Sequence, residues 1–232
     1  MKERLIVALD YSDSKKALDL VSLLDKDVEF YKVGMQLFYA AGFEIIEKLK
    51  KKEKKVFLDL KIHDIPNTAA GAVESLGKLG VDLLTLHAGG GRKMMESAAE
   101  AKYKNHFQEM KMIGVTVLTS MSSQDARELG WNDPIPEQAE RLARLAQLSG
   151  LDGVVASPQE VVHLKEKLGK DFIVVTPGIR MATDDVGDQN RVATPHSAVA
   201  NGSDYLVVGR PITAALNPKA AVEAILKEMI GA

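Results

Sequence analysis

The sequence predicts an α/β fold, a single (β/α)8 TIM barrel spanning residues 1–232. Three observations carry that expectation. Short β-branched runs alternate with amphipathic stretches, which reads as βαβ units and a parallel sheet. Eight such units over 232 residues come to about 29 each, the length of one strand–helix unit of a barrel. The rival architecture, a doubly wound open sheet, wants a glycine-rich nucleotide turn after the first strand, where this chain has Asp10-Tyr11-Ser12-Asp13.

The first strand is expected at Leu5–Leu9, stopping at Asp10, with Ser14–Leu24 as the first helix. Phe30–Val33 carries Lys32 and leads to the helical stretch Glu44–Lys54. The third strand, Val56–Leu60, opens apolar and is then interrupted by Asp59 and Lys61. Strand positions two apart share a face, so these two charges are expected side by side. Asp64 follows in the loop, Pro66 suits a first helical turn, and Ala69–Leu79 reads as helix. Leu83–Leu86 runs into His87 and then Gly89-Gly90-Gly91, which lacks the third spaced glycine of a dinucleotide site and reads as a turn into the helix Arg92–Tyr103. Ile113–Leu118, ending at Thr119, precedes the helix Pro136–Leu148; Gly153–Ala156, ending at Ser157, precedes Pro158–Leu168. Phe172–Thr176 reaches Pro177 and Arg180, then a loop through Arg191 rich in Asp, Gly, Asn and Gln, of a length typical of lids or disordered excursions. Tyr205–Val208 ends in Gly209-Arg210-Pro211, and Pro218–Ile230 is the last helix. The units share this grammar without a visible repeated motif, which argues against a solenoid.

Composition narrows the function classes. Thirty Lys and Arg against 32 Asp and Glu leave a formal charge of -2, which favours neither nucleic acid nor an anionic membrane as partner. The absence of cysteine excludes disulfides, thiolate zinc sites and cysteine nucleophiles. The run Leu5–Leu9 is short for a signal peptide, and no stretch approaches a membrane span, so a soluble cytoplasmic protein is expected.

Barrel active sites gather at the C-terminal ends of the strands. Those ends supply Asp10, Lys32, Asp59 with Lys61, His87, Thr119, Ser157, Pro177 with Arg180, and Gly209-Arg210. The Asp59/Lys61 pair alone fits a salt-bridged plug as well as a chemical site. A purely structural barrel, however, has no need to end strand after strand in charge. Aspartates alternating with lysines favour the ionised forms of both. An ammonium beside acids is a poor Schiff-base nucleophile, but it can stabilise developing negative charge and then give up a proton. Gly209-Arg210 sits where barrels often bind phosphate, and the loop carrying Arg180 and Gln189 could close over such a ligand.

At these residues the chain resembles the orotidine 5'-monophosphate decarboxylase family. Asp59-x-Lys61-x-x-Asp64-Ile65-Pro66-Asn67-Thr68 matches its signature, and the likeness extends to Leu9-Asp10, Lys32-Val33-Gly34, Leu118-Thr119-Ser120, Pro177-Gly178-Ile179-Arg180, Asp188-Gln189-x-Arg191 and Gly209-Arg210, essentially the whole chain. The resemblance implies conversion of orotidine 5'-monophosphate to uridine 5'-monophosphate and carbon dioxide, the last step of pyrimidine synthesis, with no metal or organic cofactor. It implies that Lys61 protonates C6, that Asp59 lies against the departing carboxylate, and that Lys32 links Asp59 to the ribose. Asp64 would come across a homodimer interface into the neighbouring site. Asp10 and Thr68 would hold ribose hydroxyls, Thr119 the pyrimidine, Gln189 base and phosphate together, and Arg180, Gly209 and Arg210 the phosphate; Ile65 and Pro177 fall within the matching segments that line the substrate.

Sugar-phosphate decarboxylases and synthases share the short signature but place a magnesium-binding acid at the end of the second strand, where this chain has Lys32. A ribulose-phosphate epimerase would want histidine ligands where Lys61 stands. A non-catalytic phosphate-binding barrel is the alternative from another class. The remaining features take plain structural readings. His63, His106, His163 and His196 have no ligand spacing, and His87 reads as a hydrogen-bonding support. Met94-Met95 suits core or interface packing, Trp131 an anchored loop, and Lys50 to Lys55 a solvated helix end.

Overall fold

The computed structural model describes residues 1–181 and 192–231. Its strands are β1 (Leu5–Ala8), β2 (Phe30–Gly34), β3 (Lys55–Ile62), β4 (Leu83–His87), β5 (Lys111–Val115), β6 (Gly153–Val155), β7 (Ile173–Thr176) and β8 (Tyr205–Val208). All eight pair in parallel in sequence order, and β1 also pairs with β8, so the sheet closes into a barrel without an edge. Outside it lie α1 (Ser14–Leu23), α2 (Met35–Ala41), α3 (Glu44–Lys51), α4 (Pro66–Gly77), α5 (Arg92–Lys104), α6 (Ser123–Glu128), α7 (Ile135–Leu148), α8 (Val161–Leu168), α9 (Pro195–Ala200), α10 (Arg210–Thr213) and α11 (Pro218–Ile230).

Strand alternation sorts the apolar residues into two cores. Ile6, Ala8, Phe30, Phe57, Leu83, Ile113, Val175 and Val207 fill the barrel interior. Their neighbours Leu5, Val7, Val56, Leu58, Leu84, Leu86 and Val208 face outward into the layer shared with the helices. Met94 and Met95 are buried there, as expected. Climbing the inner face, the residue type changes: Phe30 is followed two positions on by Lys32, Phe57 by Asp59, and Leu83 by Thr85 and then His87. An apolar floor thus carries a polar mouth.

The boundaries differ from the sequence expectation in instructive places. β5 stops at Val115 rather than Leu118 because β6, its neighbour, ends at Val155; beyond that point the Thr116 hydroxyl, not a ladder amide, takes the Val155 carbonyl at 2.9 Å. Three short helices, α2, α6 and α9, were not expected; each is under two turns or barely so, too short to show a period. The basic run at the end of α3 is solvated as expected at Lys51, Lys52 and Lys55, but not at Lys54. Glu53 turns left-handed (φ 57°), and Lys54 folds back to become buried, its ammonium 3.0 Å from Asp25 Oδ1 and donating to the carbonyls of Asp25 and Val28. Trp131 anchors its loop: its ring packs partly buried against the core, and its main-chain N–H donates to the Ala126 carbonyl.

A repeat hidden in the sequence emerges at the N-terminal rim. Gly80-Val81-Asp82, Gly150-Leu151-Asp152 and Gly202-Ser203-Asp204 enter β4, β6 and β8, each glycine at positive φ. Each aspartate accepts a main-chain N–H from the preceding strand: Val56 at 2.8 Å, Met112 at 2.7 Å and Val174 at 2.6 Å. Each also pairs with a lysine of the helix leading into that preceding strand, Lys50 of α3, Lys102 of α5 or Lys165 of α8, at 2.8, 2.7 and 2.6 Å. Gly-x-Asp is too short to stand out in a sequence, but here it marks every second strand from β4 onward.

Candidate active site

The site grows out of an irregularity in β3. Against β4 the register runs Leu58↔Leu84 and then Ile62↔Leu86, so β3 advances four residues where β4 advances two. The slack is taken up as a bulge, a common device for re-aiming side chains beside active sites. Lys61 lies in it with φ 51°, an uncommon left-handed backbone for a residue with a Cβ. Simple alternation therefore does not describe how Asp59 and Lys61 come together, as the sequence reading assumed. They meet nonetheless: Lys61 Nζ is 2.9 Å from Asp59 Oδ1.

Lys32, from the top of β2, extends the pair into a chain of alternating charge. Its ammonium is 2.9 Å from Asp10 Oδ1 and 3.7 Å from Asp59 Oδ2. The order Asp10–Lys32–Asp59–Lys61 runs across the ends of three adjacent strands. Gly34 makes room for it, since a Cβ there would lie 2.8 Å from Lys32 Nζ. Thr85, fully buried on β4, completes the network: its hydroxyl accepts from the Lys61 N–H at 2.9 Å and donates to Asp59 Oδ1 at 3.0 Å. Sequence reasoning passed over Thr85; the available signal was one polar residue at an inward position of Leu83-Leu84-Thr85-Leu86.

Two cavities open above these groups. One, of about 220 Å³, has Lys32, Asp59 and Lys61 on one side, Phe57, Val115, Val155, Val175 and Val207 as its apolar floor, and Val117, Leu118, Thr119, Ser120 and Pro177 around it. The other, of about 240 Å³, is lined by Asp10, Gly178, Arg180, Gly209 and Arg210 and shares Lys32, Pro177 and Val207 with the first. Arg180 is only 9% exposed, with Nη1 donating to the Ile179 carbonyl at 2.8 Å, whereas Arg210 is exposed at the start of α10. An apolar slot bordered by charge thus leads into a pocket carrying two guanidinium groups, a shape suited to a ligand with a planar polar head and an anionic tail.

Not every expected residue is gathered here. Asp64 and Ile65 are exposed on the β3–α4 turn and Thr68 in the first turn of α4, and none of them lines either cavity. Asp64 Oδ1 instead accepts the Ile65 N–H at 2.7 Å. Gln189 lies outside the described residues, as does Arg191. His63 is exposed, as expected, but its ring stacks on that of His87, with centroids 5.1 Å apart and planes 18° from parallel. His87 Nδ1 accepts the Gly89 N–H at 3.2 Å, in keeping with the supporting part expected of it. Burial, with smaller contributions from His63 and Lys61, lowers the His87 pKa. Among the described residues no group of three or more His, Asp or Glu is placed to hold a metal ion.

Comparison with known proteins agrees with this geometry. The model of the orotidine 5'-phosphate decarboxylase / HUMPS family matches residues 3–225. The orotidine 5'-phosphate decarboxylase of Carboxydothermus hydrogenoformans is 49% identical over 234 residues, covering 100% of this chain and 98% of that one. The enzyme of the same name from Gloeothece citriformis is 48% identical over 230 residues, with 99% and 98% covered. Among solved structures, orotidine 5'-phosphate decarboxylase from Lactobacillus acidophilus superposes with a TM-score of 0.87 at 45% identity, covering 97% of this chain and 98% of that one. A closed eight-stranded barrel, an Asp–Lys network at its mouth and full-length similarity to these enzymes all agree: this chain belongs to the orotidine 5'-phosphate decarboxylase / HUMPS family.

Proposed function

We propose that this chain converts orotidine 5'-monophosphate to uridine 5'-monophosphate and carbon dioxide, the final step of UMP synthesis, and does so in the cytoplasm. The observation that carries the reading is the continuity of the two cavities, with Lys61 and Asp59 in one, Arg180 and Arg210 in the other, and Lys32 in both. The pyrimidine occupies the apolar slot beside Thr119 and Pro177. The phosphate takes the arginine pocket, where Gly209 leaves room for its approach. Asp10 and Lys32, between the two, face the ribose. Gln189 joins base and phosphate from the loop after β7, an assignment that rests on the family resemblance.

The chemistry follows from where charge develops. Breaking the C6–carboxylate bond leaves its electron pair in the plane of the ring, where the π system cannot absorb it. Groups already in position must stabilise it, and Lys61 supplies a positive charge and a proton at the right end of the slot. The proton passes from Lys61 Nζ to C6, carbon dioxide departs past Asp59, and solvent restores the ammonium. Phosphate and ribose contacts, remote from C6, supply binding energy that the reacting centre can use.

The exposed β3–α4 turn with Asp64 and Ile65 (67% exposed), together with Thr68 at the start of α4, suits a second subunit better than its own cavity. In this reading two chains pair, and Asp64 enters the partner's site.

Loss of orotidine-monophosphate absorbance, followed with and without chelator, tests the reaction. Turnover indifferent to chelator is expected; magnesium-dependent activity on sugar phosphates alone would move the chain to the other branch of the family, and binding without turnover would make it a sensor. Mixing inactive Lys61→Ala and Asp64→Ala proteins tests the shared site. Restored activity is expected, and none would place Asp64 in its own subunit's chemistry or outside it altogether.

A further inference from the structure

We propose that Thr85 is a positioning residue for the reaction, the group that locks the β3 bulge so that Asp59 and Lys61 face the slot together. The inference rests on the function proposed above and deepens it.

The bulge breaks the β3–β4 ladder between Leu58 and Ile62, so main-chain groups in between need partners elsewhere. For the Lys61 N–H that partner is Thr85 Oγ1 at 2.9 Å. The same oxygen carries one hydrogen, and Asp59 Oδ1 lies 3.0 Å away to receive it. One hydroxyl therefore accepts from the main chain of Lys61 and donates to the carboxylate that holds the Lys61 ammonium at 2.9 Å. Backbone, carboxylate and ammonium form a closed circuit through a single side chain. The circuit also holds Lys61 in its left-handed conformation, which straightening of β3 would otherwise relieve.

Three features make Thr85 suited to this. It is 0% exposed, so water has no easy route to replace it. Its β-branch limits rotation about χ1, which keeps the oxygen aimed at the bulge. Its strand neighbours Leu84 and Leu86 are fully buried against the helix layer, which fixes the backbone from which it projects. Thr85 lines neither cavity, so it acts through Asp59 and Lys61, not on the substrate.

Thr85→Val keeps the shape and deletes both hydrogen bonds; Thr85→Ser keeps the hydroxyl and deletes the methyl group. For Thr85→Val we expect kcat to fall on the order of 10²-fold, the scale of a roughly 1 Å misplacement, with KM and affinity for uridine 5'-monophosphate nearly unchanged. Thr85→Ser should recover most of kcat. Wild-type kcat in Thr85→Val, or equal losses in both variants, would overturn the proposal, the second because the hydroxyl kept in Thr85→Ser would then recover nothing. A parallel measurement does not depend on activity: exchange of the Lys61 amide hydrogen should be slow in the wild type and in Thr85→Ser, and faster in Thr85→Val. Unchanged protection in Thr85→Val would overturn the proposal even if the wild type proved inactive on orotidine 5'-monophosphate, an outcome that would separately sink the proposed function.

Discussion

At the N-terminal rim, Asp82, Asp152 and Asp204 each hold a helix lysine and one main-chain N–H, Asp152 also lying 4.0 Å from Lys111; at the C-terminal rim, Asp59 holds Lys61, faces Lys32 and accepts from Thr85. Both ends are built from aspartate and lysine, yet they serve different purposes. Below, the close lysine of each pair comes from a helix and the aspartate from the turn entering a strand, so each pair ties one unit to the next. Above, both members come from strands or strand ends, carboxylates and ammonium groups are shared, and the network borders open cavities. The same chemistry is a fastening where both partners are protein groups and a candidate active site where one side borders an open cavity. This is the general division of labour between the two faces of a barrel.

The contrast yields graded tests. Lys61→Ala should lower kcat roughly 10⁴-fold or more, since in the proposed reaction it removes both proton donor and charge, while the melting temperature stays close to wild type. Calorimetry and an absorbance assay on one preparation decide it; near-normal turnover would return the upper network to a structural role. Asp152→Ala should do the reverse. It leaves the Met112 N–H and the Lys102 ammonium without their carboxylate, at a cost of about 2–4 kcal/mol, or roughly 5–10 °C in melting temperature, with kcat per folded molecule retained. A comparable loss of kcat would show that the rims are not separable. Arg210→Ala should raise KM about 10- to 100-fold for the phosphorylated substrate and scarcely affect the phosphate-free nucleoside; equal penalties on both would take the phosphate away from Arg210.

The smallest effect concerns His87, whose pKa burial depresses. The unfolded chain then binds the proton more readily than the folded one, so stability is full above the ordinary histidine value near 6.5 and declines as pH falls below it toward the folded value. The expected loss is below about 1 kcal/mol because the ring is only partly shielded from solvent. His87→Asn should flatten that part of the pH–melting curve. An unchanged slope would mean that the stacked histidines do not feel protonation.

Much of this was legible in the residues. The barrel followed from strand–helix alternation, because parallel strands buried on both faces must be apolar and their connecting helices amphipathic. The mouth was legible because charge at the end of an apolar run is costly and therefore conspicuous, as at Asp59 and Lys61. Thr85 was not legible, since a threonine is unremarkable in a strand until a neighbouring strand bulges against it. Nor was the burial of Lys54, which depends on a left-handed Glu53 turning the chain back beneath the barrel.

Local patterning thus accounts for which elements form and which face of each is buried, since alternation and amphipathicity are properties of a few neighbouring residues. Register between strands, the β3 bulge and the pairing of aspartates with lysines 32, 50 or 39 residues away belong to the closed barrel. Those features depend on where distant main-chain groups find partners once the sheet has closed, and no short window of sequence contains both members of such a pair.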